Sequence, residues 1–177
     1  MNRHSFIYRT LGLFVRDVTG GVSPLRNNTD PLPQDHVELS PLKIEYDDID
    51  SEGIRLTLRL VSALRDYVES RGMKFLLVEG IYRPIIDDHM RSTVTKKYGE
   101  VFDFDKVSEI LKAHCDSNQI ELLSLPELAK IRNITASDIM HAEDNLHLDA
   151  RGIRFFAEAV VEKLNALGWI NERTTGL

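Results

Sequence analysis

The sequence predicts an α/β domain built on a parallel sheet, and three features carry that expectation. Two short apolar runs, residues 73–78 and 120–123, each follow a segment with helical apolar spacing, and a third such segment comes after the second run. Each run is nearly continuous in hydrophobic residues, the pattern of a parallel strand covered on both faces. The order helix–strand–helix–strand–helix then implies parallel strands joined by helical crossovers. At 177 residues, with 42% hydrophobic and 28% charged residues, residues 1–177 read as one domain, long enough to bury a core if the fold is complete.

Taken along the chain, Ile7, Leu11, Phe14 and Val18 line one face of a first helix, which Gly20-Gly21 ends. Residues 22–50 hold Pro24, Pro31, Pro33 and Pro41 among Asn and Asp, the composition of a long loop. A loop of that length in a compact domain points to a lid, a binding loop or disorder. Within it, Asp47-Asp48-Ile49-Asp50 reads as a solvated turn ahead of a helix. Ile54, Leu58, Val61, Leu64 and Val68 line the next helix, with Gly72 where a C-terminal cap belongs. The first apolar run follows, ended by Glu79-Gly80 and a turn through Pro84. Residues 87–98 form a polar helical stretch, and Val107, Ile110, Leu111 and His114 mark another helix that stops near residues 116–118. After the second run, Pro126 closes the strand, a helical piece covers 128–140, and Glu143-Asp144-Asn145 makes a polar turn. Asp149 is placed as the N-cap of a last helix expected to bury Ile153, Phe156, Ala157, Val160, Leu164 and Leu167 before Gly168. Two strands cannot bury both faces of a sheet, so either further strands are hidden in residues 22–50 or part of the sheet lies outside this chain, and the second is the favoured expectation.

Charge and composition exclude several classes. A net charge of -6 with no basic face argues against nucleic acid as a partner. Arg9 and Arg16 interrupt the start of the chain before an apolar core of signal-peptide length forms, so a cytoplasmic location is the default expectation. No run reaches the ~18 apolar residues of a membrane span. The single Cys115 removes disulfide frameworks and cysteine-based zinc sites, and it reads as a half-buried structural thiol. His89, His114, His141 and His147 lack metal-ligand spacing, so no metal is expected.

In an open α/β sheet, functional groups gather beyond the carboxyl ends of the strands. There the chain carries Asp144-Asn145-Leu146-His147-Leu148-Asp149-Ala150-Arg151-Gly152. An imidazole acting as general base needs a carboxylate to hold its tautomer and to stabilise the imidazolium, and Asp144 lies three residues before His147 in the same loop. Asp138 and His141 repeat the spacing, but in a helical stretch where i, i+3 residues are ordinary surface neighbours.

The block Asp144-x-x-His147-Leu148, with capping Asp149 and Gly152 before an amphipathic helix, resembles the last conserved block of the SGNH (GDSL-type) hydrolase family. The helix from Ile54 to Arg71, the run 73–78 and the turn at Pro84 look like that family's penultimate strand unit. Residues 3–9 resemble the helix that often follows its asparagine-bearing block. The likeness spans most of residues 1–10 and 51–170, with only 144–152 specific enough to be a motif. It implies a three-layer αβα, flavodoxin-like parallel sheet, incomplete here because the N-terminal strands are absent. It also implies ester hydrolysis or acyl transfer on a small-molecule or glycan ester, with His147 as base, Asp144 as its orienter and no cofactor.

The departure from the family is as informative. Its serine lies in a Gly-Asp-Ser motif, and this chain has no such triplet and neither of the family's Gly and Asn blocks. Ser124 follows the second run, but Leu125 and Pro126 beside it mark a structural serine. The nucleophile is therefore expected from none of the residues in this chain, which alone should be inactive. The competing expectation is a small non-catalytic α/β interaction module in which Asp144 and His147 merely stabilise a loop. Missing strands would also leave an apolar sheet edge able to self-associate.

Overall fold

The computed structural model describes residues 39–99, 101–141 and 147–170, all within the compact unit Val37–Leu177. The helix expected over Ile7–Val18 and most of the segment 22–50 lie outside the described residues. Where that segment enters the structure, it packs. A 3-10 turn, Ser40–Leu42, carries Leu42 into a core cluster with Leu39, Ile85, Val94 and Phe104, and Lys43 bridges Phe102 in antiparallel fashion.

Helix α1, Asp48–Glu69, begins six residues before the apolar stripe does. Asp47 caps it by accepting the Asp50 amide at 2.8 Å, and Asp48 and Asp50 sit in the first turn where the helix dipole favours negative charge. The acidic cluster read as a turn is thus the helix start. Ile54, Leu58, Val61 and Val68 are half-buried while Leu64 is exposed, and α1 buries none of its residues fully. Gly72, at φ +71°, closes the helix end in a conformation that glycine adopts at little cost.

Strand β1, Leu76–Glu79, pairs in parallel with β2, Glu121–Ser124, in the register Leu77↔Leu122 and Val78↔Leu123. The expected parallel pairing is present, each strand shifted by a residue or more toward the carboxyl end. Between them run α2, Arg83–Ile86, α3, Asp88–Tyr98, and α4, Lys106–Asn118. After β2 come α5, Leu125–Ile131, α6, Ala136–Ile139, and α7, Ala150–Ala166. The single helical piece expected over 128–140 is two short helices, because Asn133 turns the chain at φ +55°. The described unit is therefore mixed α/β and mostly helical, around a small two-stranded parallel sheet.

Alternation along the strands separates two environments. Leu76, Val78 and Leu123 pack with Phe155 and Ala159 of α7. Glu79 points the other way, where the Ser108 hydroxyl of α4 donates to its carboxylate. Leu76, Leu77 and Val78 are only half-buried, short of the two-sided burial that the apolar run suggests. Two strands and their helices supply too little cover for that.

Of the face expected to be buried in the last helix, Val160, Leu164 and Leu167 are half-buried, with Val160 against the core, but the first turns are rolled outward. Its buried residues are Gly152, Phe155 and Ala159, whereas Ile153 and Phe156 are 61% and 40% exposed. The cause is Gly152: a Cβ there would lie 2.1 Å from the Ile139 carbonyl oxygen. Only glycine lets α7 rest on the α6 backbone, and that contact sets which stripe faces inward.

Candidate functional site

The described residues on either side of 142–146 meet at one place. Met140 and Leu148 form an antiparallel bridge, the Asp149 amide donates to the Ile139 carbonyl at 2.9 Å, and the His141 amide donates to the His147 carbonyl at 3.3 Å. Met140 is buried and Leu148 packs beside it in the cluster that also holds Ile81, two residues past β1. Arg83, at the start of α2, donates from its guanidinium to the His141 carbonyl. The base of the loop is thus fastened at the carboxyl end of β1, where α/β sheets place functional groups. His147 stands at that base and is exposed, while Asp144 lies outside the described residues.

Asp149 caps α7 as expected, accepting the amides of Arg151 at 2.8 Å and Gly152 at 2.9 Å. Its carboxylate also meets the Arg151 guanidinium, which reaches on to the Ser137 carbonyl. The Gly152 amide, with Arg151 beside it, holds the Asp149 carboxyl below the usual carboxylate range. Asp138 is likewise lowered, first by the Thr135 hydroxyl and then by the Thr135 amide, both of which it accepts. Its carboxylate is occupied in capping α6, which accounts for its spacing to His141 without chemistry. Depressed folded values mean stability that is full above the unfolded value of about 3.9 and lost as pH falls through the folded ones. Acid titration of urea-unfolding midpoints should show this loss below about pH 4, and Asp149→Asn, which keeps a cap, should flatten it.

Three surface grooves are lined by other residues than His147. One, between α1 and α4, holds Ser62 and His114, whose hydroxyl and Nε2 are 3.0 Å apart. This pair invites comparison with a nucleophile and its base, and the surroundings argue against it. Asn118 donates from Nδ2 to the His114 carbonyl at 2.8 Å, which orients the amide, and the same nitrogen sits 3.4 Å from His114 Nδ1. The group facing Nδ1 is therefore an amide and not a carboxylate, so among the described residues that side of the ring lacks the partner that orients a catalytic base and stabilises its imidazolium. Ser62 also sits mid-helix, where backbone amides are consumed by the helix and offer no oxyanion donors.

Two further groups of the core have settings that the packing explains. Ser124 caps α5, accepting the Glu127 amide at 3.2 Å, in keeping with its reading as a structural serine. Cys115 is 1% exposed, more buried than expected, and burial, then Asp116 and Glu79, push its thiol up. It should resist a thiol-specific disulfide reagent in buffer and react fully in denaturant; fast native labelling would contradict this burial.

No helix among the described residues is long and apolar enough to cross a membrane. No protein-family model, curated protein or solved structure matches the chain.

Proposed function

We propose that this chain is the C-terminal portion of an SGNH-type serine esterase or acyl hydrolase, with His147 as general base and Asp144 as its orienting carboxylate. The observation that carries the reading is the attachment of the His147 loop at the carboxyl end of β1, through the Met140–Leu148 bridge and the Arg83–His141 contact. The rest of the motif has physical reasons that fit: Asp149 caps the following helix, and Gly152 admits the Ile139 backbone. Contacts from α7 on one side of the strands and α4 on the other are consistent with a three-layer, flavodoxin-like sheet of which β1 and β2 are two members.

On this reading the substrate is a small-molecule or glycan ester. The serine comes from a Gly-Asp-Ser segment, and the further oxyanion donors from the family's Gly and Asn blocks, all outside these 177 residues. Strands carrying it pair beside β1 and β2, and without them that edge favours self-association. The test is hydrolysis of short-chain acyl esters by protein expressed from the reading frame as it continues upstream of Met1. Activity lost in the His147→Ala variant supports the reading; equal rates reject it. The 177-residue chain alone should hydrolyse such esters no faster than its own His147→Ala variant.

A further inference from the structure

The guanidinium of Arg83 occupies an unusual post for a surface-charged residue. Its side chain is only 13% exposed, and it begins α2 directly after the turn that follows β1. One terminal nitrogen lies 3.6 Å from the Asp87 carboxylate, which itself caps α3 by accepting the Met90 amide at 3.0 Å. The other donates to the His141 carbonyl. The two hydrogen-bonding groups of the His141 backbone are therefore both committed: the carbonyl to Arg83, the amide to the His147 carbonyl.

We propose that Arg83 is the positioning residue of the His147 loop, holding the 141/147 backbone pair in register so that the imidazole leaves the loop at a fixed angle over the end of β1. The inference rests on the reading of His147 as the base. Its physical content is separate, because it concerns which bond fixes the loop. Burial and the backbone bridge between Met140 and Leu148 hold the base of the loop, and beyond that bridge the His141 carbonyl is taken by Arg83. A charge-assisted bond to a carbonyl is directional, and its donor is braced from behind by Asp87. Placement of a reacting group to within an ångström is worth about 10²-fold in rate, so a residue that fixes direction matters without touching substrate. Lysine would not replace it, since a single ammonium on a flexible stem cannot span Asp87 and the His141 carbonyl with a rigid planar fork.

The test uses the full 177-residue chain and needs no activity. Native-state hydrogen exchange of the His141 amide and the ¹⁵N shifts of the His147 ring are compared in wild type, Arg83→Ala and Arg83→Lys, with urea midpoints as the measure of global stability. The expected result is His141 exchange about ten- to a hundredfold faster in both variants, with His147 ring shifts moved toward those of a freely averaging imidazole. Amides in β1 and α7 should keep their protection. Unchanged His141 exchange and ring shifts in either folded variant overturn the proposal. Should Arg83→Ala fail to fold, Arg83→Lys, which retains the charge facing Asp87, decides by the same readouts. The two levels separate cleanly. A wild-type ring without an Nδ1 proton defeats the reading of His147 as an oriented base, whereas an oriented wild-type ring that Arg83→Lys and Arg83→Ala leave untouched defeats only the role of Arg83.

Discussion

If the proposed esterase reading holds, Asp144→Asn in the nucleophile-bearing protein should lower kcat for ester hydrolysis by about 10⁴-fold while leaving KM within a few-fold. The magnitude follows from what the carboxylate does. A neutral imidazole can take a serine proton only through the nitrogen that lacks one, so the other nitrogen must hold its proton against a fixed acceptor. Asparagine keeps the size but can present a donor, which favours the wrong tautomer. His147→Ala, which removes the base itself, should cost at least as much, and the double variant should be no worse than either single one because the pair acts as a unit. By contrast Asp138→Asn should leave kcat unchanged, since its carboxylate is spent on Thr135. A large loss at Asp138 with none at Asp144 would transfer the chemistry to the other pair of the same spacing.

Gly152→Ala should be the most destabilising single-methyl change in the described fold, costing about 1–3 kcal/mol or more as an overpacked contact. The added carbon would sit 2.1 Å from the Ile139 carbonyl oxygen and 2.9 Å from Leu148 Cβ. Neither neighbour yields easily. The Ile139 carbonyl already accepts the Asp149 amide, and Leu148 is bridged to Met140. Relief requires α7 to lift from α6, which would uncover Phe155 and Ala159 and loosen the base of the His147 loop together. Urea denaturation of the variant measures the cost; a midpoint equal to wild type would contradict the packing of α7 on α6. Gly53, whose added Cβ would meet nothing within 4 Å, supplies the control: Gly53→Ala should be neutral or stabilising in α1.

The apolar stripe Ile54, Leu58, Val61 and Val68 announces α1, and two apolar runs announce a parallel pair of strands, because both signals are local in the chain. The start of α1 was hidden since a capping carboxylate at Asp47, not hydrophobicity, sets it. The roll of α7 was misread toward Ile153 and Phe156, because both possible stripes are apolar and the choice is made by Gly152 against a backbone carbonyl thirteen residues away. A proline-rich approach concealed Leu39 and Leu42, which are core residues. At the candidate site, the block from His147 to Gly152 is legible as histidine, cap and glycine in fixed order. Arg83 was not, for its partner His141 lies 58 positions on and no spacing rule joins them. The Ser62–His114 contact was equally invisible, being made between two helices.

The claim on which the functional account turns is that His147 is held by Asp144 as a single tautomer. Long-range ¹H–¹⁵N correlation spectra of the histidine rings, recorded at neutral pH on wild type and Asp144→Asn, test it most directly. The account predicts a wild-type His147 ring protonated on Nδ1 with Nε2 bare, shifting toward an Nε2-protonated ring when Asp144 becomes asparagine. Identical ring spectra in the two proteins would contradict it.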